Sequence, residues 1–191
     1  MIRYVISFLP WIAYACVATS DEWRNGALVG LGVALVVVSY DRMTGKAWDE
    51  MVIESSAVIF FAIITAISFA SPDSSLIKYG PSLVDAWLAL TAWGLLLVRR
   101  PFTLGVARKM VPQHVWATPR FYRINAVITS VWAAAFTLTA VALYVQTHVA
   151  PHATTTATAI AIKVAGFALP ALFTVRYSAA AANRARRQQT A

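Results

Sequence analysis

What most limits the fold of this chain is how its Lys and Arg residues fall among six apolar stretches, at roughly 4–20, 26–40, 51–70, 79–98, 124–147 and 157–176. Read as membrane spans with both termini in the cytoplasm, the cytoplasmic side collects Arg3, Arg42, Lys46, Arg99, Arg100, Arg108, Lys109, Arg120, Arg123, Arg176, Arg184, Arg186 and Arg187. The other side keeps only Arg24 and Lys78. Excess basic charge on one side of a set of spans is the positive-inside signature. The pattern predicts an all-α, polytopic transmembrane helical bundle of six spans.

A helix is the expected form of each span because it satisfies its backbone polar groups within the segment, and about 20 apolar residues cross the hydrocarbon. Spans three to six meet that length. The stretch from Ala27 to Tyr40 is short, and the first contains Pro10, whose ring removes an internal hydrogen bond and frees the Ile6 carbonyl. A re-entrant first segment with five spans is the alternative. Ala13-Tyr14-Ala15-Cys16 resembles a weak lipoprotein cleavage site, but one basic residue precedes the segment and the usual Leu is missing, which disfavours a cleaved signal. Cys16 is the single cysteine, so an intramolecular disulfide and a cysteine-based metal cluster are excluded, and it reads as a packing residue.

A 59% hydrophobic, 13% charged chain with mean hydropathy +0.64 has too little polar surface for a soluble bundle. The net charge of +8 is concentrated beside span ends, where it sets topology and meets anionic lipid headgroups at the cytoplasmic face rather than nucleic acid. The joints Asp21 to Gly26, Asp41 to Asp49, Ser71 to Lys78 and His148 to Thr156 have turn composition. None is long enough to separate domains, so residues 1–191 read as one integral membrane domain. It carries a basic cytoplasmic loop at 99–123 and a basic cytoplasmic tail at 177–191.

In that loop Phe102, Val106 and Met110 recur at a spacing of four while Arg108 and Lys109 face elsewhere, which predicts a short interfacial helix. Trp116, Phe121 and Tyr122 supply interfacial aromatic anchors. Arg99, Arg100, Arg108, Lys109, Trp116, Arg120 and Arg123 are therefore the candidate partner or lipid contacts.

Ionisable groups inside the membrane are costly and are functional candidates by default. Three occur. Asp85 and Lys163 each lie about 9 Å below the outer surface at a helical rise of 1.5 Å per residue, so they form a candidate intramembrane pair. Glu54 is a candidate inner-leaflet carboxylate, within reach of Arg99, Arg100, Arg123 or Arg176. Pairing serves either to order the bundle or as part of a proton or substrate relay. No enzyme signature stands out: His114 lies in the basic loop, and His148 and His152 flank Pro151, which disfavours the helix a metal pair at that spacing needs. No histidine within a span is available for a buried haem. No catalytic residue, cofactor or metal site is therefore expected. Gly26-x-x-x-Gly30 suits close helix approach, and Pro170 after Gly166 suits a kink in the sixth span.

Taken in order, Phe8-Leu9-Pro10, Arg100-Pro101-Phe102, Val115-Trp116, Asn125 with Trp132-Ala133 and Phe136, and Lys163-Val164 with Gly166 make the chain resemble the intracellular septation protein A family of small bacterial inner-membrane proteins. The resemblance implies a non-enzymatic role in septum formation, cell division and cell-envelope maintenance, exercised through contacts with division and wall-elongation membrane proteins. The stretch Ala117 to Ile124 departs from the family pattern by being longer than the usual link. Two other readings stay open: a small transporter, channel or lipid-handling protein using Glu54, Asp85 and Lys163, and an accessory subunit of a membrane enzyme complex. Homo-oligomerisation is also left open.

Overall fold

The computed structural model describes residues 2–18, 22–71, 74–149 and 156–189. The described residues contain seven α-helices and no strand: α1 (Ile2–Val17), α2 (Trp23–Met43), α3 (Val52–Ala70), α4 (Gly80–Leu97), α5 (Thr103–Arg108), α6 (Pro119–Val149) and α7 (Thr156–Gln189). The all-α expectation holds. The five helices α2, α3, α4, α6 and α7 are long and apolar enough to cross a membrane. The first helix has 16 residues, about 24 Å, against a hydrocarbon core of about 30 Å. It runs without interruption through Pro10.

Several helices are longer than hydropathy suggests. The second reaches 21 residues because Trp23, Arg24 and Asn25 at its start and Asp41, Arg42 and Met43 at its end, all expected in joints, are helical. The sixth begins at Pro119 instead of 124. Thr118 precedes it and its Oγ1 accepts the Phe121 N–H at 3.3 Å, while Pro119 occupies the first helical position, where a missing N–H is harmless. The Ala117 to Ile124 stretch therefore ends the basic loop as a capped helix start. The seventh continues to Gln189 through the segment expected as a tail, where Ala179 to Ala182 supply the strongest helix former.

The chain divides into two compact units, residues 1–87 and 88–191, with the boundary inside α4. In the first unit α2 packs against both α1 and α3. Ser7, Trp11 and Tyr14 recur at spacings of four and three along α1 and meet α3 in order: Ser7 reaches Glu54, Trp11 lies tilted against Phe60 and Phe61 at 5.2 and 4.9 Å, and Tyr14 lies 5.4 Å from Phe61. These two helices run parallel, with α2 antiparallel to both. Its Gly26, Gly30 and Ala34 all lie on the buried face. A Cβ at Gly30 would stand 2.7 Å from the Phe61 ring and one at Gly26 would stand 2.6 Å from the Ala18 Cβ. The close approach expected of the Gly26-x-x-x-Gly30 pair is thus observed.

In the second unit α6 and α7 pair along much of their length. Trp132 Nε1 donates to Thr174 Oγ1 at 3.0 Å, and the Trp132 ring meets Phe167 edge-on at 5.2 Å. Further along, a Cβ on Gly166 would overlap the Thr139 hydroxyl. The seventh helix continues through Pro170, whose carbonyl accepts the Thr174 hydroxyl at 2.7 Å. Gly166 and Gly94 make a controlled comparison, because nothing lies within 4 Å of a Cβ at Gly94. We expect Gly94→Ala to raise stability in detergent by up to about 1 kcal/mol, the usual gain for replacing glycine within a helix. Gly166→Ala should lower it by about 1–3 kcal/mol through overpacking. Thermal unfolding of the two variants, followed by circular dichroism, checks both signs.

Candidate functional site

The best-defined ionic site is at the end of the first unit where α2 gives way to α3. The second helix closes with a C-terminal motif in which Gly45 N–H bonds the Arg42 carbonyl and Lys46 N–H bonds the Asp41 carbonyl, each at 3.0 Å. This double closure needs a left-handed residue. Gly45 supplies it at φ +80. The turn carries Lys46 back beside its own helix. Its Nζ lies 2.6 Å from both Asp41 Oδ2 and Glu54 Oε1.

Glu54 is 2% exposed, and its Oε1 also accepts the Ser7 hydroxyl at 2.7 Å. It occupies the first turn of α3, where the helix dipole favours a negative charge. A buried carboxylate needs such compensation, since removing a charge from water costs several kcal/mol. Two acids, one ammonium and one hydroxyl from α1, α2, the turn and α3 therefore form one closed cluster. Burial lowers the pKa of Lys46, but its hydrogen bonds to Asp41 and Glu54 and their charges outweigh that and raise it above the ordinary 10.5.

Hydropathy and charge order name Arg99, Arg100, Arg123 and Arg176 as candidates to reach Glu54; within the first unit the structure sets Lys46 against it. In the sequence Lys46 counts only as a topology-setting charge. The signal that points to it is the Thr44-Gly45-Lys46 helix stop five residues after Asp41, which returns a cation toward the start of α3.

Asp85 stands in the first turns of α4, within the first unit, and Lys163 in α7, within the second. Nearby in α4, Trp87 Nε1 donates to Ser56 Oγ of α3 at 3.0 Å.

The basic loop has internal structure. α4 closes like α2, with Arg99 N–H on the Leu96 carbonyl at 3.0 Å and Arg100 N–H on the Leu95 carbonyl at 2.8 Å. Here the left-handed residue is Arg99, at φ 56. α5 falls within the interfacial helix expected from Phe102 to Met110 but ends at Arg108. Lys109 and Met110 bond back only three residues, to Val106 and Ala107, and Met110 is 73% exposed. The buried anchor of α5 is Thr103, whose hydroxyl donates to the Asn125 carbonyl and lies 3.1 Å from the Thr129 hydroxyl. Arg108 lies over the Trp116 ring at 5.7 Å, and Trp116 Nε1 donates to the Val111 carbonyl at 3.2 Å. Arg120 Nη2 reaches the Ala181 carbonyl at 3.3 Å, tying the start of α6 to α7, while Arg123 is exposed.

Cys16 is exposed rather than packed, and His114 is exposed in the loop. His148 stacks on Tyr144 with ring centroids 5.6 Å apart. His152 and Pro151 lie outside the described residues. Among those residues no three His, Cys, Asp or Glu side chains gather to hold a metal ion.

No protein-family model, curated protein or solved structure matches the chain. Of the positions that carry the sequence resemblance, Phe8, Pro10, Pro101, Asn125, Trp132, Ala133 and Phe136 are buried, while Leu9, Arg100, Trp116 and Val164 are exposed.

Two tests follow from this geometry. Lys46→Met leaves Glu54 buried without its cation and should cost about 3–5 kcal/mol, whereas the double variant Lys46→Met/Glu54→Gln should recover part of that loss. Because the folded pKa of Lys46 is raised, its contribution is fully present below pH 10.5 and disappears as the pH climbs through the higher folded value. Chemical denaturation in detergent between neutral and strongly alkaline pH should show wild-type protein losing more stability than Lys46→Met.

Proposed function

We propose that the protein is a non-enzymatic, multi-pass membrane protein of the bacterial cell envelope that supports septation or envelope maintenance through protein contacts. In this reading it lies in the inner membrane with both termini cytoplasmic. The basic loop and the cytoplasmic, C-terminal end of α7 are its contact surfaces. The observation that carries the reading is the engagement of Glu54. A relay across the membrane needs an inner-half carboxylate able to exchange protons or substrate, and Glu54 is the acidic candidate there. Its Oε1 is instead held between Lys46 and Ser7 at 2.6 and 2.7 Å, the arrangement of a group that ties α1, α2 and α3 together. The buried positions Asn125, Trp132 and Phe136, shared with the septation family pattern, support a common bundle. Basic asymmetry supports the orientation.

The experiment is imaging of a functional C-terminal fluorescent fusion at native expression in dividing cells, together with two variants. Enrichment at the septum is expected. Asp85→Asn should keep function if the bundle survives. Replacing Arg108 and Lys109 by Gln should abolish function while the protein remains inserted. A uniform envelope signal, with function lost in inserted Asp85→Asn, would favour the transporter reading over this one.

A further inference from the structure

The second unit gathers most of its cations at one end, Lys163 excepted, and the register of α6 and α7 explains how. Arg120 contacts Ala181, Trp132 contacts Thr174, and Thr139 lies against Gly166. Early residues of α6 thus sit beside late residues of α7. Arg120 and Arg123 therefore share an end with Arg176 and Arg184. Thr103 pins α5 to the same end through Asn125 and Thr129, which brings Arg108 and Lys109 there.

Two further observations show what this end meets. Exposed apolar side chains stand among the charges: Leu97 is 84%, Val98 63% and Met110 73% exposed. A soluble acidic partner would leave such side chains wet, whereas a bilayer interface takes both kinds, apolar atoms entering the acyl boundary and cations meeting phosphate. The chain also places Arg99 in the left-handed conformation at the end of α4, where glycine is the easier residue. The helix stop keeps two consecutive cations, Arg99 and Arg100, beside Leu97 and Val98.

We infer that this end of the second unit is a binding surface for anionic phospholipid. Arg99, Arg100, Arg108 and Lys109 engage headgroup phosphates while Leu97, Val98 and Met110 enter the acyl boundary. Depth sorts the basic residues. The apolar run of α7 ends at Val175, and Arg184 lies about 13 Å farther along the helix. A headgroup layer is only about 6 Å deep on each side, so Arg184 stands outside it and takes little part. The inference rests on the membrane placement in the proposed function and not on the septation role.

The test uses full-length protein reconstituted in phosphatidylcholine bilayers. Electron paramagnetic resonance reads the boundary preference for spin-labelled phosphatidylglycerol over spin-labelled phosphatidylcholine. Wild-type protein should prefer phosphatidylglycerol several-fold at about 50 mM salt and lose most of that preference at about 500 mM, where screening shortens electrostatic reach. Arg108→Gln/Lys109→Gln should remove most of the low-salt preference, since each cation near the surface is worth up to about fivefold. Arg184→Gln and Lys78→Gln should leave it unchanged. The wild-type salt titration decides the matter even if the double variant fails to insert. A wild-type ratio of one, an equal loss in Arg184→Gln, or abolition by millimolar inorganic phosphate at constant ionic strength would overturn the inference. A ratio of one alongside intact septal enrichment would remove the lipid surface and leave the proposed function standing.

Discussion

In hydrocarbon no hydrophobic force pushes apolar helices together, so their association depends on close backbone approach and on polar side chains that find each other. Both units rest on this constraint, and they meet it differently. In the first, the Gly26, Gly30 and Ala34 face of α2 lets α1 and α3 come close enough for Trp11, Tyr14, Phe60 and Phe61 to interlock. In the second, Gly166 admits Thr139, and Trp132 donates to Thr174. Each unit combines a missing side chain with a directed hydrogen bond. Either device alone would leave the register loose.

The Lys46 cluster shows how a helix stop becomes an electrostatic device. A glycine in the left-handed conformation ends α2, and the same turn returns an ammonium to two carboxylates. Removing one member leaves a buried charge without compensation, which is far more damaging than never having had the pair. The three helices thus share one ionic anchor at one end and an aromatic interlock further along. Such an arrangement holds a bundle in place, and it gives the scaffold reading its physical basis. The stop at Arg99 uses the same backbone closure with a cation in the strained position. There the charge faces outward, toward the surface assigned to lipid.

Hydropathy and residue type alone make some of this legible. The all-α class, the long spans, the basic asymmetry and the Gly26-x-x-x-Gly30 approach can be read because each is a local or periodic property of the chain. Helix ends are less legible. Pro119 and the Ala179 to Ala182 run are helix-compatible residues in polar surroundings, so a hydropathy boundary places them outside helices that in fact contain them. The apolar spacing of Phe102, Val106 and Met110 overstates α5, because the chain tightens after Arg108 and releases Met110.

The sequence by itself determined that this chain is a helical membrane protein with a large excess of basic residues, because span length and charge count depend only on what each segment contains. Tertiary structure alone decided that Glu54 meets Lys46 and Ser7, that Gly30 receives Phe61, and that Thr103 rather than Met110 anchors α5. Those choices depend on which helix faces meet and at what register. Many registers satisfy the same hydropathy, and the one adopted brings Glu54, Thr103 and Asn125 to their partners.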